Sequence, residues 1–182
     1  MKDRLLTLLR ERSYARKRVV LASGKESDFF IDCKQTVLLA EGHALVGAVL
    51  FEALSELDPR PSAVAGVALG GCPLASAVAL VSHERGVPMD AVFVRKATKG
   101  HGSARRVEGD SHLEAGSRIA VVEDVVTTGG STLEAVSCLR EQGYEVSAVV
   151  ALVDRREGGA DAIEAAGIVF HAIFGREDFS DG

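Results

Sequence analysis

Residues 121 to 132 read VVEDVVTTGGST, an apolar run carrying two adjacent carboxylates, Glu123 and Asp124, followed by a cluster of hydroxyls and glycines. Thr127, Thr128, Gly129, Gly130 and Ser131 form a loop that runs into a helix. Backbone N–H groups, side-chain hydroxyls and the positive end of the helix dipole there converge on an anion, and glycine lets the backbone come close to it. The same residue types also make an ordinary helix cap after a tight turn, with the carboxylates as a solvated strand end. The acidic pair separates the two readings. A loop that only holds phosphate gains nothing from two neighbouring negative charges. A ligand with a phosphate on one side and vicinal hydroxyls on the other, such as ribose 5-phosphate, uses both. Neither a Walker loop nor a dinucleotide fingerprint is present in the sequence.

Four further stretches carry candidate chemistry. RKATKGHGSARR, residues 95 to 106, holds Arg95, Lys96, Lys99, His101, Arg105 and Arg106 with no acid among them. A solvated charge run is the ordinary reading of such a stretch. A nucleic-acid patch fits less well, because no aromatic residue interleaves the cations to stack on bases. A flap with glycines at 100, 102 and 109, closing over a charged leaving group, fits better. GVALGGCPLASA, residues 66 to 77, is a second glycine turn between a strand and a proline-opened helix, a weak signal alone. LASGKESDFFIDCK, residues 21 to 34, places Lys25, Phe29, Phe30, Asp32 and Lys34 near the N-terminus, and strand alternation turns only one of the two phenylalanines inward. In VDRREGG, residues 153 to 159, a guanidinium at the end of a strand either grips a ligand carboxylate in a bidentate pair or forms a salt bridge with Asp154 or Glu157.

These residues need a scaffold, and the apolar pattern supplies one. Leu5, Leu6, Leu8 and Leu9 make a helical stripe, Val19 to Ala22 and Phe29 to Cys33 read as strands, and Glu41 to Leu57 is a helix stopped by Asp58-Pro59. Strands at AVAGVAL, DAVFVR, RIAVVE, EVSAVVALVD and IVFHAIF alternate with helices at PLASAVALVSHERG, Ser131 to Gln142 and ADAIEAAG. Near-continuous apolar strands separated by helices predict an α/β fold: a mainly parallel sheet flanked by helices on both faces, with ligands at the carboxyl ends of the strands. Ala97 to Gly116 is the one long irregular segment.

With 182 residues and 47% hydrophobic content, the expectation is one domain, 1–182. A net charge of -5 and a pI near 5.6 argue against a general nucleic-acid or membrane-surface role, so any anion site is local. Cys33, Cys72 and Cys138 suggest neither a disulfide framework nor a zinc site, and the N-terminus is charged and amphipathic; a cytoplasmic location is expected.

The stretch V-E-D-V-V-T-T-G-G-S-T resembles the phosphoribosyl pyrophosphate (PRPP) motif of type I phosphoribosyltransferases, in the form found in the orotate phosphoribosyltransferase family. The resemblance extends in order from about Tyr14 to Phe174. It implies transfer of the phosphoribosyl group from PRPP to orotate in pyrimidine biosynthesis, giving orotidine 5'-phosphate and pyrophosphate. It implies PRPP contacts at Lys25, Leu69, Gly70, Arg95, Lys96, Lys99 and His101, and from Glu123 through Val125, Val126 and the 127 to 131 loop. Orotate would meet Phe29, Phe30, Thr127 and Arg155, with residues 1 to about 40 forming a hood over the base. Lys99, His101 and Asp124 are the catalytic candidates, Mg²⁺ is held mainly through PRPP near Asp124, and a homodimer shares its active sites across the interface. Some relatives carry a tyrosine-lysine pair where this chain has Leu69-Gly70, so backbone contacts alone are expected there. Asp32 and Lys34 are expected to be ion partners, and Arg156 an ordinary exposed residue. The competing expectations are a phosphoribosyltransferase for another base and a non-catalytic sensor on the same fold.

Overall fold

The computed structural model describes residues 1–20, 26–95 and 106–179. Helix α1, Lys2–Arg12, buries Leu5, Leu8 and Leu9 and places Asp3 in its first turn and Arg10 and Arg12 in its last, as the helix dipole favours. It leads into an antiparallel pair, β1 (Tyr14–Val20) and β2 (Glu26–Ile31), with Tyr14 opposite Ile31. The first of these strands starts earlier than its apolar residues suggest. Three consecutive cations fill the middle of YARKRVV, so hydrophobicity alone marks only its end. After a single turn, α2 (Lys34–Val37), comes α3, Ala40–Ser55.

The remaining strands form one six-stranded sheet: β3 (Ala63–Val67), β4 (Asp90–Val94), β5 (Val107–Glu108), β6 (Arg118–Val126), β7 (Glu145–Asp154) and β8 (Val169–Gly175), in the order β5-β4-β3-β6-β7-β8. Every pairing is parallel except that of β4 with β5. The crossover helices are α4 (Gly71–Glu84), α5 (Gly130–Glu141) and α6 (Gly159–Ala165), and a short 3-10 turn, Arg176–Phe179, follows β8. Two buried clusters lie against opposite faces of the sheet. One gathers α1, β2, α3 and α4 with Val64, Ala120, Val122 and Leu152; the other gathers α5 and α6 with Ala65, Ile119, Val121 and Val149.

Two departures from the sequence expectation matter for function. β5 lies inside the segment read as irregular, pairing Val94 with Val107 and Phe93 with Glu108; a two-residue strand is too short to show a period. β6 runs on past Glu123 to Val126, because Val125 and Val126 keep parallel register with Val153 and Asp154 of β7. The chain builds outward from β3 to β4, then crosses back to place β6 on the other side of β3. That reversal opens a crevice at the carboxyl ends of β3 and β6, where open α/β sheets bind ligands.

Candidate functional site

The turn after β3 is pressed against the end of β6. A Cβ added at Gly70 would collide with the carboxylate of Asp124, and one at Gly71 would lie 2.5 Å from the Val122 carbonyl oxygen. Only glycine allows this approach. The Ala68–Leu69 peptide is cis, the Ala68 N–H donates to Val94 O at 2.9 Å, and the Leu69 side chain stands 73% exposed. Gly70 and Asp124 therefore meet at the crevice, with Leu69 next to them in the chain.

The two carboxylates do not form a pair on one face. Successive strand residues point to opposite sides of a sheet. Asp124 is half-buried on the side of the N-terminal elements, where the Cys33 thiol lies 3.8 Å from its carbonyl oxygen. Glu123 is 5% exposed on the other side and accepts a hydrogen bond from Thr132 Oγ1 of α5 at 3.3 Å. Burial, then the Asp124 charge, pushes the Cys33 thiol well up. Burial, then Glu123, raises Cys72 as well, and burial raises Cys138. All three shifts run away from the thiolate, the nucleophilic form.

Directly after β6, Thr127, Thr128 and Gly129 turn the chain into α5. Gly129 caps the helix at φ 78, and a Cβ there would lie 3.1 Å from the Gly159 carbonyl oxygen. Gly130 and Ser131 are exposed at the helix start, and no acidic residue occupies the first turn. The first N–H groups of a helix have no partner inside it, and they offer a local anion cradle on an acidic protein.

The loop after β7 brings the N-terminal elements to the same edge. Arg155 N–H donates to Val126 O at 3.0 Å, fixing this loop to the root of the 127 to 131 turn. The Arg155 guanidinium donates to Phe29 O at 3.0 Å, pairs with Glu157 at 3.0 Å and lies 5.5 Å from the Phe29 ring centre. Phe29 itself is core, 3% exposed, with Tyr14 at 5.1 Å and Phe179 at 5.6 Å between ring centres. Phe30 points the other way, with Lys17 Nζ 3.7 Å from its ring centre. Asp32 and Lys34 are the expected ion partners, 2.6 Å apart. The hydrogen bond to Asp32 raises the Lys34 pKa.

Arg156 is exposed, as its sequence context suggests, but it is tied to two carboxylates. Its N–H and guanidinium both donate to Asp154, at 2.9 and 3.1 Å, and its guanidinium pairs with Glu177 at 2.8 Å. Asp154 is fully buried, and an unpaired carboxylate there would be costly. No period or motif signals this, because Glu177 belongs to the turn beyond β8.

At the root of the cationic stretch, Arg95 pairs with Glu108 at 3.2 Å and Arg106 with Glu134 at 2.8 Å, so these two arginines are anchored to β5 and α5. Lys25, Lys96, Lys99, His101 and Arg105 lie outside the described residues. Among the described residues no group of three or more His, Cys, Asp or Glu side chains gathers in a metal-binding cluster, and no helix is long and apolar enough to cross a membrane.

Comparison with known proteins bears on this site. Residues 38–178 match the family model described as a phosphoribosyl transferase domain. The orotate phosphoribosyltransferase of Sorangium cellulosum (strain So ce56) is 65% identical over 178 residues, 98% of this chain and 92% of that one. The crystal structure of Mycobacterium tuberculosis H37Rv orotate phosphoribosyltransferase in complex with PRPP aligns at TM-score 0.78 and 35% identity, covering 98% of each chain. Orotate phosphoribosyltransferase from Aeropyrum pernix aligns at TM-score 0.82 and 33% identity, covering 96% of this chain and 95% of that one.

Proposed function

The chain belongs to the type I phosphoribosyltransferase family, in its orotate phosphoribosyltransferase branch, and from that premise we propose how its residues act. It is an orotate phosphoribosyltransferase, transferring the 5-phosphoribosyl group of PRPP to orotate to give orotidine 5'-phosphate and pyrophosphate in pyrimidine biosynthesis. One observation carries the residue assignment: the Asp124 carboxylate is packed on Gly70 at the switch-point crevice and is followed at once by the helix-start anion cradle.

A ring nitrogen of orotate attacks C1 of the ribose and gives up its proton, to the departing diphosphate or to solvent, while the bond from C1 to the diphosphate oxygen breaks, so positive charge builds on the sugar as negative charge leaves. No covalent nucleophile is needed, in keeping with three thiols whose pKa values are all raised. Asp124 accepts hydrogen bonds from the ribose hydroxyls and stabilises the sugar as it becomes cationic, with Glu123 acting from the α5 side. The 127 to 131 loop, entered through Val125 and Val126, holds the 5-phosphate. The backbone at Leu69 and Gly70 contacts the diphosphate. Arg155 reads the orotate carboxylate, and Phe30, on the side of β2 away from the core, offers the base a flat face. Phe29 supports that site from below, through its carbonyl contact with Arg155.

Mg²⁺, the cofactor the family resemblance implies, would be held by Asp124 together with oxygens of PRPP; a lone carboxylate plus substrate oxygens, with no cluster of His, Cys, Asp or Glu among the described residues, suits this hard cation. When bound it supplies positive charge that stabilises the departing diphosphate. Lys25, Arg95, Lys96, Lys99 and His101 complete the PRPP site in this reading, with Lys99 or His101 assisting the leaving group. The flap acts in the partner subunit of a homodimer, and residues 1–40 form the base-binding hood of a single domain, 1–182. Three free cysteines suit a cytoplasmic enzyme.

The test supplies Mg²⁺ and PRPP with orotate, uracil, hypoxanthine or adenine separately and follows pyrophosphate release. Turnover with orotate alone is expected. Turnover with uracil and not orotate would overturn the substrate, since only orotate among these bases carries a carboxylate.

A further inference from the structure

Arg155 and Arg156 are adjacent, yet they serve opposite sides of the β7 end. Arg155 reaches the carbonyl of Phe29 in β2, while Arg156 turns to Asp154 and Glu177. The divergence has a visible cause. Among the described residues Arg156 is the one non-glycine residue with positive φ, at 58°. Such a conformation persists where the surroundings over-determine it. Here the buried Asp154 carboxylate accepts both the Arg156 N–H at 2.9 Å and its Nη1 at 3.1 Å.

The other end of the Arg156 guanidinium is held by Glu177, through Nη2 at 2.8 Å and Nε at 3.4 Å. Glu177 sits on a turn that is itself tied down. Gly175 N–H donates to Asp178 at 2.8 Å, Arg10 of α1 donates to the Asp178 carbonyl at 2.8 Å, and Arg176 pairs with Asp28 of β2 at 2.5 Å. The 3-10 turn thus links the loop after β7 to the same N-terminal elements that Arg155 touches. We infer that Asp154, Arg156 and Glu177 form a clasp that aims Arg155, making Arg156 a positioning residue for the base and not for PRPP. This rests on the reading of Arg155 as the orotate-carboxylate ligand.

The test is steady-state kinetics on the full chain with Arg156→Gln, Arg156→Lys and Glu177→Gln, varying orotate at saturating PRPP and the reverse, with circular dichroism to check folding. Arg156→Gln raises the orotate KM about tenfold and leaves the PRPP KM and kcat within about twofold, the signature of lost ground-state positioning. Arg156→Lys, which keeps a charge but cannot bridge both acids, recovers part of that loss. Glu177→Gln leaves Asp154 paired with Arg156 and gives a smaller rise of the same kind, so it decides the matter should Arg156→Gln fail to fold. Folded variants whose two KM values rise together, or do not change, overturn the inference. Loss of orotate turnover in the unsubstituted chain would instead defeat the activity reading, and the clasp's role with it.

Discussion

The crevice between β3 and β6 and the base side above β7 are built by different means. At the crevice, glycine main chain is packed close: Gly71 lies under the Val122 carbonyl and Gly70 leaves room for the Asp124 carboxylate, while beside it Gly129 lies against Gly159. On the base side, long side chains bridge distant parts of the sequence, Arg155 to Phe29, Arg176 to Asp28 and Arg10 to Asp178. Backbone packing fixed by a parallel sheet leaves little freedom, and it suits the phosphoribosyl group that every reaction of this family shares. Side-chain bridges can be exchanged one at a time, which suits a base that differs among relatives.

The sharpest way to break this contrast is at its most rigid point. Asp124→Asn keeps the shape and removes the charge proposed to meet the sugar, so kcat/KM is expected to fall about a thousandfold, roughly 4 kcal/mol of transition-state stabilisation, with the melting temperature little changed. A fall below tenfold would mean that Asp124 is scaffold. Gly70→Ala attacks the same contact from the other side. The added methyl displaces the Asp124 carboxylate, and kcat/KM falls about a hundredfold, roughly 3 kcal/mol. A Gly70→Ala enzyme of full activity would show that the crevice yields as readily as the base side.

The base side can be tested through its two adjacent phenylalanines. Phe29→Leu costs about 1 kcal/mol of stability by urea titration, because the ring is buried among Tyr14, Phe179 and Arg155. Phe30→Leu changes stability by less than about 0.5 kcal/mol but raises the orotate KM. Equal stability losses would erase the division between a core ring and a ligand ring.

The same contrast explains what could be read from the sequence. VVEDVVTTGGST is one strand, one loop and one helix start, so its geometry is local and its chemistry legible. The meeting of Gly70 with Asp124 was not legible by spacing, because it depends on β3 and β6 being neighbours out of chain order. Arg155 stands out by its place after Asp154, but its contact with Phe29 spans 126 residues. Arg156 looked ordinary because its second acid lies on another element and its turn needs no glycine. The start of β1 was hidden by its cationic residues, and β5 by its length.

The smallest effect concerns the clasp and follows from its charge. The hydrogen bond from Arg156 holds the Glu177 carboxyl below the usual carboxylate range. A carboxylate with a depressed folded-state pKa contributes stability that is fully present above its unfolded pKa and is lost as pH falls through its folded pKa. The pair is largely exposed, so its contribution is below about 1 kcal/mol. The difference in melting temperature between the unsubstituted chain and Glu177→Gln should therefore be constant from about pH 7 down to about pH 5 and shrink below the ordinary glutamate value of about 4.3. Asp154 stays paired with Arg156 in both proteins, so it cancels in this comparison. A difference that widens on acidification would mean that Glu177 is held by something other than the Arg156 charge, and the base side would lose its place as the region joined by exchangeable ion pairs.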